Sequence, residues 1–201
     1  MSESMSASQA GAEHHPIGLI VTDDLRRNRL TVFFRLLLAI PHVIFLALWG
    51  IVVYLAAIVA WFAAVFTGRV PDGLHGFMAT YLRYTTRVFG YLYLLADPFP
   101  PFGSSGAYPL DARIAGPETQ SRLTVGFRII LAIPALILSG VFQMVNRIVA
   151  FLGWFYCLAT GNMNEGMRNI SAWLLRYEIQ TYAYLFLLTE KYPSLSGAPT
   201  A

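Results

Sequence analysis

Several ionisable side chains lie within stretches of sequence that are predicted to cross the membrane, and the candidate polar site comprises Arg83, Arg147, Arg176 and Glu178. Charged groups are costly in hydrocarbon, so such residues usually face a protein interior or a water-filled cavity and mark a functional site. Guanidinium groups bind phosphate and carboxylate groups. One interpretation is an intramembrane site for an anion or a lipid headgroup. The alternative is structural, with Arg83 and Arg176 bonding backbone carbonyls or reaching a water-filled edge of the bundle.

Arg147 and Glu178 are charges that appear only in the second of the two repeats described below. Counted from the intervening loop, they lie at depths of roughly 20 and 16 Å on two antiparallel helices. An unpaired charge at that depth would be costly, which predicts a salt bridge between them. Two alternatives remain open. The residues could face different water-filled surfaces, or Gln143 and Asn146 could solvate Arg147 instead.

Other chemistry-bearing patterns are absent from the sequence, including phosphate loops, nucleophile–base pairs and metal clusters. Cys157 is the single cysteine, so no intrachain disulfide can form, and it reads as a small packing residue. His42 and His75 fall at opposite ends of one predicted span, where one haem iron could not reach both. His14 and His15 form an isolated pair. We therefore expect neither an enzyme nor a cofactor or metal site.

The composition is typical of a membrane protein. Of the 201 residues, 56% are hydrophobic and only 12% are charged, whereas soluble domains carry about 25% charged residues. Two apolar runs, residues 36–66 and 129–160, exceed the 18 residues that indicate a membrane-spanning helix. The net charge is +3, but the arginines flank or interrupt apolar segments, so we expect no nucleic-acid partner.

An internal repeat organises the chain. Residues 29–41 reappear as residues 122–134, and at this offset of 93 residues 27 of 72 aligned positions are identical without a gap. Five regions follow from the repeat and from the Gly- and Pro-rich stretch between its copies. They are a disordered polar tail (1–28), the first membrane repeat (29–100), a linker (101–121), the second membrane repeat (122–193) and a C-terminal tail (194–201).

Each repeat is predicted to form two helices, giving an all-α integral membrane fold of two tandem helical hairpins with about four transmembrane helices. Residues 36–66 would form a helix about 46 Å long, longer than a hydrocarbon core of about 30 Å. We therefore expect Pro41 and Pro134 to break the first helix of each repeat into an interfacial start and a spanning part. The second helices, residues 74–96 and 167–189, are weaker as spans because charged residues interrupt them.

Arginines also predict the topology. Two spans per repeat would give both repeats the same orientation, and most basic residues would then lie on the side of the two termini. The positive-inside rule places both termini in the cytoplasm, in a multi-pass protein of the cell membrane. The arginines at the helix starts are candidate anchors to the membrane surface and to anionic lipid. These are Arg29, Arg35, Arg122 and Arg128.

Three stretches resemble a known family. Residues 29–42 contain Arg-Leu-Leu-Leu-Ala-Ile-Pro-His, residues 66–74 read Phe-Thr-Gly-Arg-Val-Pro-Asp-Gly-Leu, and residues 94–102 read Leu-Leu-Ala-Asp-Pro-Phe-Pro-Pro-Phe. This pattern is similar to the family called domain of unknown function 4389, whose members are mostly actinobacterial membrane proteins. The resemblance covers both repeats, and the second departs from it at residues 162–166. It implies a membrane location and no assigned activity.

Two functions compete. A non-enzymatic accessory or scaffold subunit would pack against a larger membrane complex or against itself through small residues such as Gly50, Gly140 and Gly153. A small transporter or channel component would handle an anion or lipid with the intramembrane arginines. A cavity between the repeats lined by Arg83, Arg147 and Arg176 would favour transport. A sealed bundle with an exposed small-residue face would favour scaffolding.

Overall fold

The computed structural model describes residues 15–103 and 107–196. In chain order its elements are strand β1 (Ile17–Val21), helix α1 (Arg29–Thr67), helix α2 (Asp72–Leu92), strand β2 (Leu110–Ile114), helix α3 (Arg122–Gly126), helix α4 (Arg128–Thr160) and helix α5 (Glu165–Leu185). The protein is therefore mostly helical and built from two repeats, as expected. The predicted all-α fold is corrected by a two-stranded sheet, and two described helices, rather than about four, are long and apolar enough to span a membrane. The second helix of each repeat lies close to its predicted position.

The two strands show that the repeat is longer than the sequence match. They pair antiparallel, and Leu19 lies opposite Ala112, its own counterpart 93 residues later. Two further backbone bridges, Arg26–Asn162 and Arg69–Thr119, are equivalent to each other, because Thr119 is the repeat counterpart of Arg26 and Asn162 is that of Arg69. The repeats are thus related by a pseudo-twofold axis that passes through the centre of the sheet.

These strands correct two boundaries. The prediction of a disordered tail over residues 1–28 is wrong for its described part, because Ile17–Val21 is a strand whose alternate residues are buried. Residues 1–14 lie outside the described part of the chain. The linker also contains a strand, Leu110–Ile114, with the same alternation. In the C-terminal tail, residues 194–196 pack against Arg176 through their carbonyl groups.

The predicted breaks at the prolines are wrong. Helix α1 runs for 39 residues through Pro41, and α4 for 33 residues through Pro134. Both proline rings lie on the exposed side of their helix, so the hydrogen bond that each proline removes does not disturb a packed face. The second repeat does have a break, but it lies at Phe127, directly after Gly126. The first repeat has Phe33 at the position of this glycine, and its helix is continuous.

The long helices run antiparallel to each other. The Arg27 N–H, just before α1, donates to the Gly161 carbonyl at the end of α4, at 2.9 Å. The Gln120 N–H, just before α3, donates to the Gly68 carbonyl at the end of α1, at 2.8 Å. Repeats that shared one orientation across a bilayer would have parallel long helices. The structure does not support that arrangement.

The basic residues follow the same symmetry. Arg29 and Arg168 lie at one end of the molecule, whereas Arg69 and Arg122 lie at the other, because each helix start adjoins the end of its counterpart. The prediction of cytoplasmic termini assumed that most arginines lie at one end of the long helices. In the structure, arginines lie at both ends.

The elements form three layers. Strand β2 packs on α2, and β1 packs on α5. Helices α2 and α5 pack on each other, and each also packs on the long helix of its own repeat. The two long helices, α1 and α4, contact each other as well. The order is therefore the sheet, then α2 with α5, then α1 with α4. The core lies between these layers, and most side chains of α5 beyond residue 170 are buried.

The outer layer exposes a broad apolar surface. Helices α1 and α4 are long and apolar enough to cross a membrane, with mean hydropathies of 2.7 and 2.0. Only 22% of the most apolar window of each is buried, whereas the core helices of soluble proteins are mostly buried. We call this the lipid-facing layer, and it indicates membrane association. Its exposed side chains include Leu37, Leu48, Leu55, Phe66, Ile130 and Phe151.

Candidate functional site

The arginines that were predicted to lie within the membrane do not converge on one site. The Arg83 Nε donates to the Ala112 carbonyl on β2 at 3.4 Å. The Arg176 Nη1 donates to the Ser196 carbonyl at 2.8 Å. Each therefore binds the segment that covers its own helix, as in the structural alternative, although the carbonyls are not those of the long helices. Arg147 lies elsewhere, in a groove described below.

The predicted salt bridge between Arg147 and Glu178 is not formed. Within the described residues no ion pair of 4.0 Å or less joins them, and Arg147 is exposed while Glu178 is buried. The Glu178 carboxylate instead accepts a hydrogen bond from the Gln143 Nε2 at 2.9 Å. The prediction had assigned Gln143 only as a partner for Arg147. Depth along two helices fixes how far apart two residues lie along the axis, but not the direction in which their side chains point.

Glu178 belongs to a polar seam between α4 and α5, which comprises Ser139, Gln143, Asn146, Ser171 and Glu178. The Asn146 Nδ2 donates to the Ser171 carbonyl at 3.4 Å. The two serine hydroxyls and the Asn146 Oδ1 are buried without a hydrogen-bond partner within the described part of the protein. Buried polar atoms of this kind are usually satisfied by internal water.

The polar seam is specific to the second repeat. Its counterparts in the first repeat are Leu46, Gly50, Val53, Met78 and Thr85. Burial raises the pKa of Glu178 to about 7, although the Arg147 charge and the Gln143 hydrogen bond both favour the carboxylate. The sequence held a signal for this seam, since residues 139, 143 and 146 share one helix face at intervals of four and three.

Two of the predicted lipid anchors are buried instead. The Arg35 Nη2 binds the Asp97 Oδ1 at 3.0 Å, and its guanidinium lies 4.2 Å from the centre of the Tyr91 ring. Its counterpart Arg128 donates to the Thr189 carbonyl at 2.9 Å and lies 4.1 Å from the ring of Tyr184. Each arginine links the start of the long helix of its repeat to the residues at and after the end of the shorter helix. Because both guanidinium groups are buried in these contacts, the prediction that they anchor the protein to lipid is wrong.

The other two predicted anchors are exposed at the ends of the lipid-facing layer. The Arg29 Nη2 donates to the Ala159 carbonyl in the last turn of α4, at 3.0 Å. Arg122 lies beside Gly68, which ends α1 in the left-handed conformation. A cation beside a helix C-terminus is favoured by the helix dipole. Contact of these two arginines with anionic lipid stays a prediction.

The lipid-facing layer contains two grooves that the pseudo-twofold axis relates. Groove 1, of about 400 Å³, lies between the start of α1, the end of α2 and the second half of α4. Groove 2, also about 400 Å³, is formed by the equivalent residues of the opposite repeats. Some differences between their linings only exchange one apolar side chain for another, such as Phe151 for Ile58, but two change a polar side chain. Groove 1 has Arg147 and Tyr93 where groove 2 has Tyr54 and Phe186.

His42, His75 and Cys157 each have a local packing role. His42 Nδ1 lies 2.5 Å from the Tyr84 hydroxyl, and His75 Nε2 lies 3.4 Å from the Leu188 carbonyl. Cys157 is buried beside the sulfur of Met163. Across residues 15–103 and 107–196 no three His, Cys, Asp or Glu side chains are grouped so that they could hold a metal ion.

Comparison with known families gives a match over both repeats. The family model described as "Domain of unknown function (DUF4389)" matches residues 29–104 and, a second time, residues 122–196. Each matched segment spans the two main helices of one repeat and the chain that follows them. No curated protein and no solved structure matches the chain.

Proposed function

The chain belongs to the family of domain of unknown function DUF4389, which it carries as two tandem copies, and from this premise we propose a non-enzymatic accessory or scaffold subunit of a membrane complex. Its family brings no assigned activity, so the proposal rests on the geometry. The lipid-facing layer is the observation that carries it. An apolar surface this long exceeds what monomeric soluble proteins expose and requires lipid or another apolar partner.

The length of this layer favours helices that lie along the membrane. The exposed apolar side chains of α1 run from Leu30 to Phe66, a span of about 54 Å. An upright helix would hold only about 30 Å of this within the hydrocarbon core. We therefore propose that α1 and α4 lie nearly parallel to the membrane plane, with their exposed faces buried in one leaflet.

The opposite pole of the molecule supports the same orientation. The centre of the sheet is halfway along the long helices, and Arg113 is exposed there on β2. In an upright arrangement this guanidinium would lie at the bilayer midplane, at a cost of about 3 kcal/mol on insertion scales. With the long helices in the membrane plane, the sheet faces water and the pseudo-twofold axis follows the membrane normal.

We place the layer in the cytoplasmic leaflet of the cell membrane, with both termini in the cytoplasm. The leaflet carries anionic lipid, which attracts a chain with net charge +3. Exposed arginines at both ends of the layer, Arg29 and Arg122, are positioned to meet that charge. This proposal keeps the predicted side of the termini and replaces four spanning helices by two embedded ones.

The transporter alternative has less support. It needs Arg83, Arg147 and Arg176 around one cavity, but Arg83 and Arg176 bind separate covering segments and Arg147 lines groove 1. The small-residue face predicted for scaffolding also needs revision. Gly50 and Gly153 are buried against side chains of this chain, and Gly140 is exposed. A partner would therefore contact the water-facing sheet or the lipid-facing layer.

Photo-crosslinking in native membranes tests the scaffold role. A photoreactive residue is placed at Arg113 on the sheet, at Leu55 on the lipid-facing layer and, as a buried control, at Thr86. A scaffold predicts one recurrent protein adduct from at least one exposed position and none from Thr86. Lipid adducts alone from both exposed positions would contradict the scaffold role and leave the membrane orientation intact.

A further inference from the structure

We propose that groove 1 binds one anionic phospholipid, with an acyl chain along its apolar lining and the phosphate on Arg147. This inference rests on the proposed contact of the lipid-facing layer with a bilayer. Groove 2 serves as its internal comparison, because the same fold forms it without the arginine.

The shape and lining of groove 1 fit a hydrocarbon chain. Its volume of about 400 Å³ lies within the range of about 300–1,000 Å³ that small-molecule sites occupy. Leu36 and Phe151 are strongly exposed at its edges, so the groove is reached from the lipid-facing layer. The remaining lining includes Phe89, Leu92 and Ala150.

Arg147 supplies a charge that the surrounding surface does not explain. It is exposed in a layer of apolar side chains, where a guanidinium is costly unless an anion meets it. Among the described residues, no carboxylate lies within ion-pair distance of it. The nearby carboxyl group of Glu178 is buried and accepts a hydrogen bond from Gln143. A phosphate at the mouth of the groove would complement Arg147 with charge-assisted hydrogen bonds.

Tyr93 is a second polar side chain of this groove. It lines groove 1 together with Arg147. Groove 2 replaces both members of this pair, with Tyr54 for the arginine and Phe186 for the tyrosine. The paired change leaves groove 2 with the volume for a lipid chain but without this headgroup contact. Selectivity for anionic lipid is therefore expected in groove 1 alone.

Native mass spectrometry of the full chain in mild detergent tests this proposal. The probes are phosphatidylglycerol and phosphatidylcholine with identical acyl chains, and inorganic phosphate. We expect one phosphatidylglycerol per chain, bound about tenfold more tightly than phosphatidylcholine, and no retention of phosphate alone. Arg147→Gln should remove this preference. Arg113→Gln, an equal change of charge on the sheet face, should preserve it.

A second pair of variants fills the grooves while keeping the charge. Ala150→Phe occupies groove 1 and should abolish tight phosphatidylglycerol binding, whereas the equivalent Ala57→Phe in groove 2 should leave it unchanged. Equal losses in the two glutamine variants, or in the two phenylalanine variants, would overturn the site. Equal binding of both lipids by the native chain would also overturn it. None of these results would alter the membrane orientation, which accessibility labelling measures separately.

Discussion

The indole N–H of Trp154 donates a hydrogen bond of 2.9 Å to the backbone carbonyl of Val32. A side chain of the second repeat therefore contacts the first turn of helix α1 in the first repeat. Trp61 makes the same bond to the Val125 carbonyl, also at 2.9 Å. These two hydrogen bonds join the two repeats, one at each end of the molecule.

The two tryptophans should contribute equally to stability. Trp154→Phe and Trp61→Phe each remove one cross-repeat hydrogen bond, and each should lower the free energy of unfolding by about 1 kcal/mol. Because the sites are far apart, the double variant should lose about the sum. Chemical unfolding in detergent measures all three. A loss confined to one tryptophan would contradict the symmetric role of the pair.

Gly90 is needed where β2 crosses α2. A Cβ atom at this position would lie 1.8 Å from the Cδ2 atom of Leu110, so Gly90→Ala should cost about 1–3 kcal/mol. Adding Leu110→Ala should make the cost of Gly90→Ala small, because the clashing methyl is gone. Gly76→Ala, in the same helix with open space around it, is the control and should be neutral or slightly stabilising. Strict additivity of the Gly90 and Leu110 changes in unfolding experiments would refute this contact.

Glu178 should make stability depend on pH. Its folded pKa of about 7 is above the ordinary 4.5, so the folded state holds a proton that the unfolded state has released between these values. Stability should therefore fall as pH rises from about 4.5 to about 7 and then level off. Glu178→Gln should remove this slope and stabilise the protein at pH 8, by roughly 3 kcal/mol at most.

This is the reverse of the loss that an Arg147–Glu178 salt bridge would predict. Thermal unfolding in detergent across this pH range, with the exposed Glu165→Gln as control, distinguishes the two. Destabilisation of Glu178→Gln at pH 8 would show that the carboxylate is favourably paired after all.

The sequence predicted the repeat and both helices of each copy, because identities such as Trp61 and Trp154 recur at a fixed offset. It did not reveal the strands through that match, since Ile17–Val21 and Leu110–Ile114 share no identical position. The alternation of apolar and polar residues in Leu110–Ile114 was the available signal. Strands this short form because they pair with each other, and that pairing joins segments that are far apart in the sequence.

The antiparallel arrangement of the repeats was also beyond the sequence pattern. Counting charges in loops assumes that the long helices cross the bilayer, and the excess of arginines near the chain ends then looked one-sided. The contacts of Arg27 with Gly161 and of Gln120 with Gly68 place those charges at both ends. The predicted break at Pro41 was wrong because its ring faces outward and the helix packs through its other side.

The measurement that tests the account most directly is side-specific cysteine labelling of the chain in sealed membrane vesicles. In a Cys157→Ala background, single cysteines replace Asp24 before α1, Asp72 after α1 and Glu165 after α4, all of which are exposed. With the long helices embedded in one leaflet, a membrane-impermeant maleimide should label all three from the cytoplasmic side only. Labelling of Asp24→Cys and Asp72→Cys from opposite sides would show that α1 spans the membrane and would contradict the account.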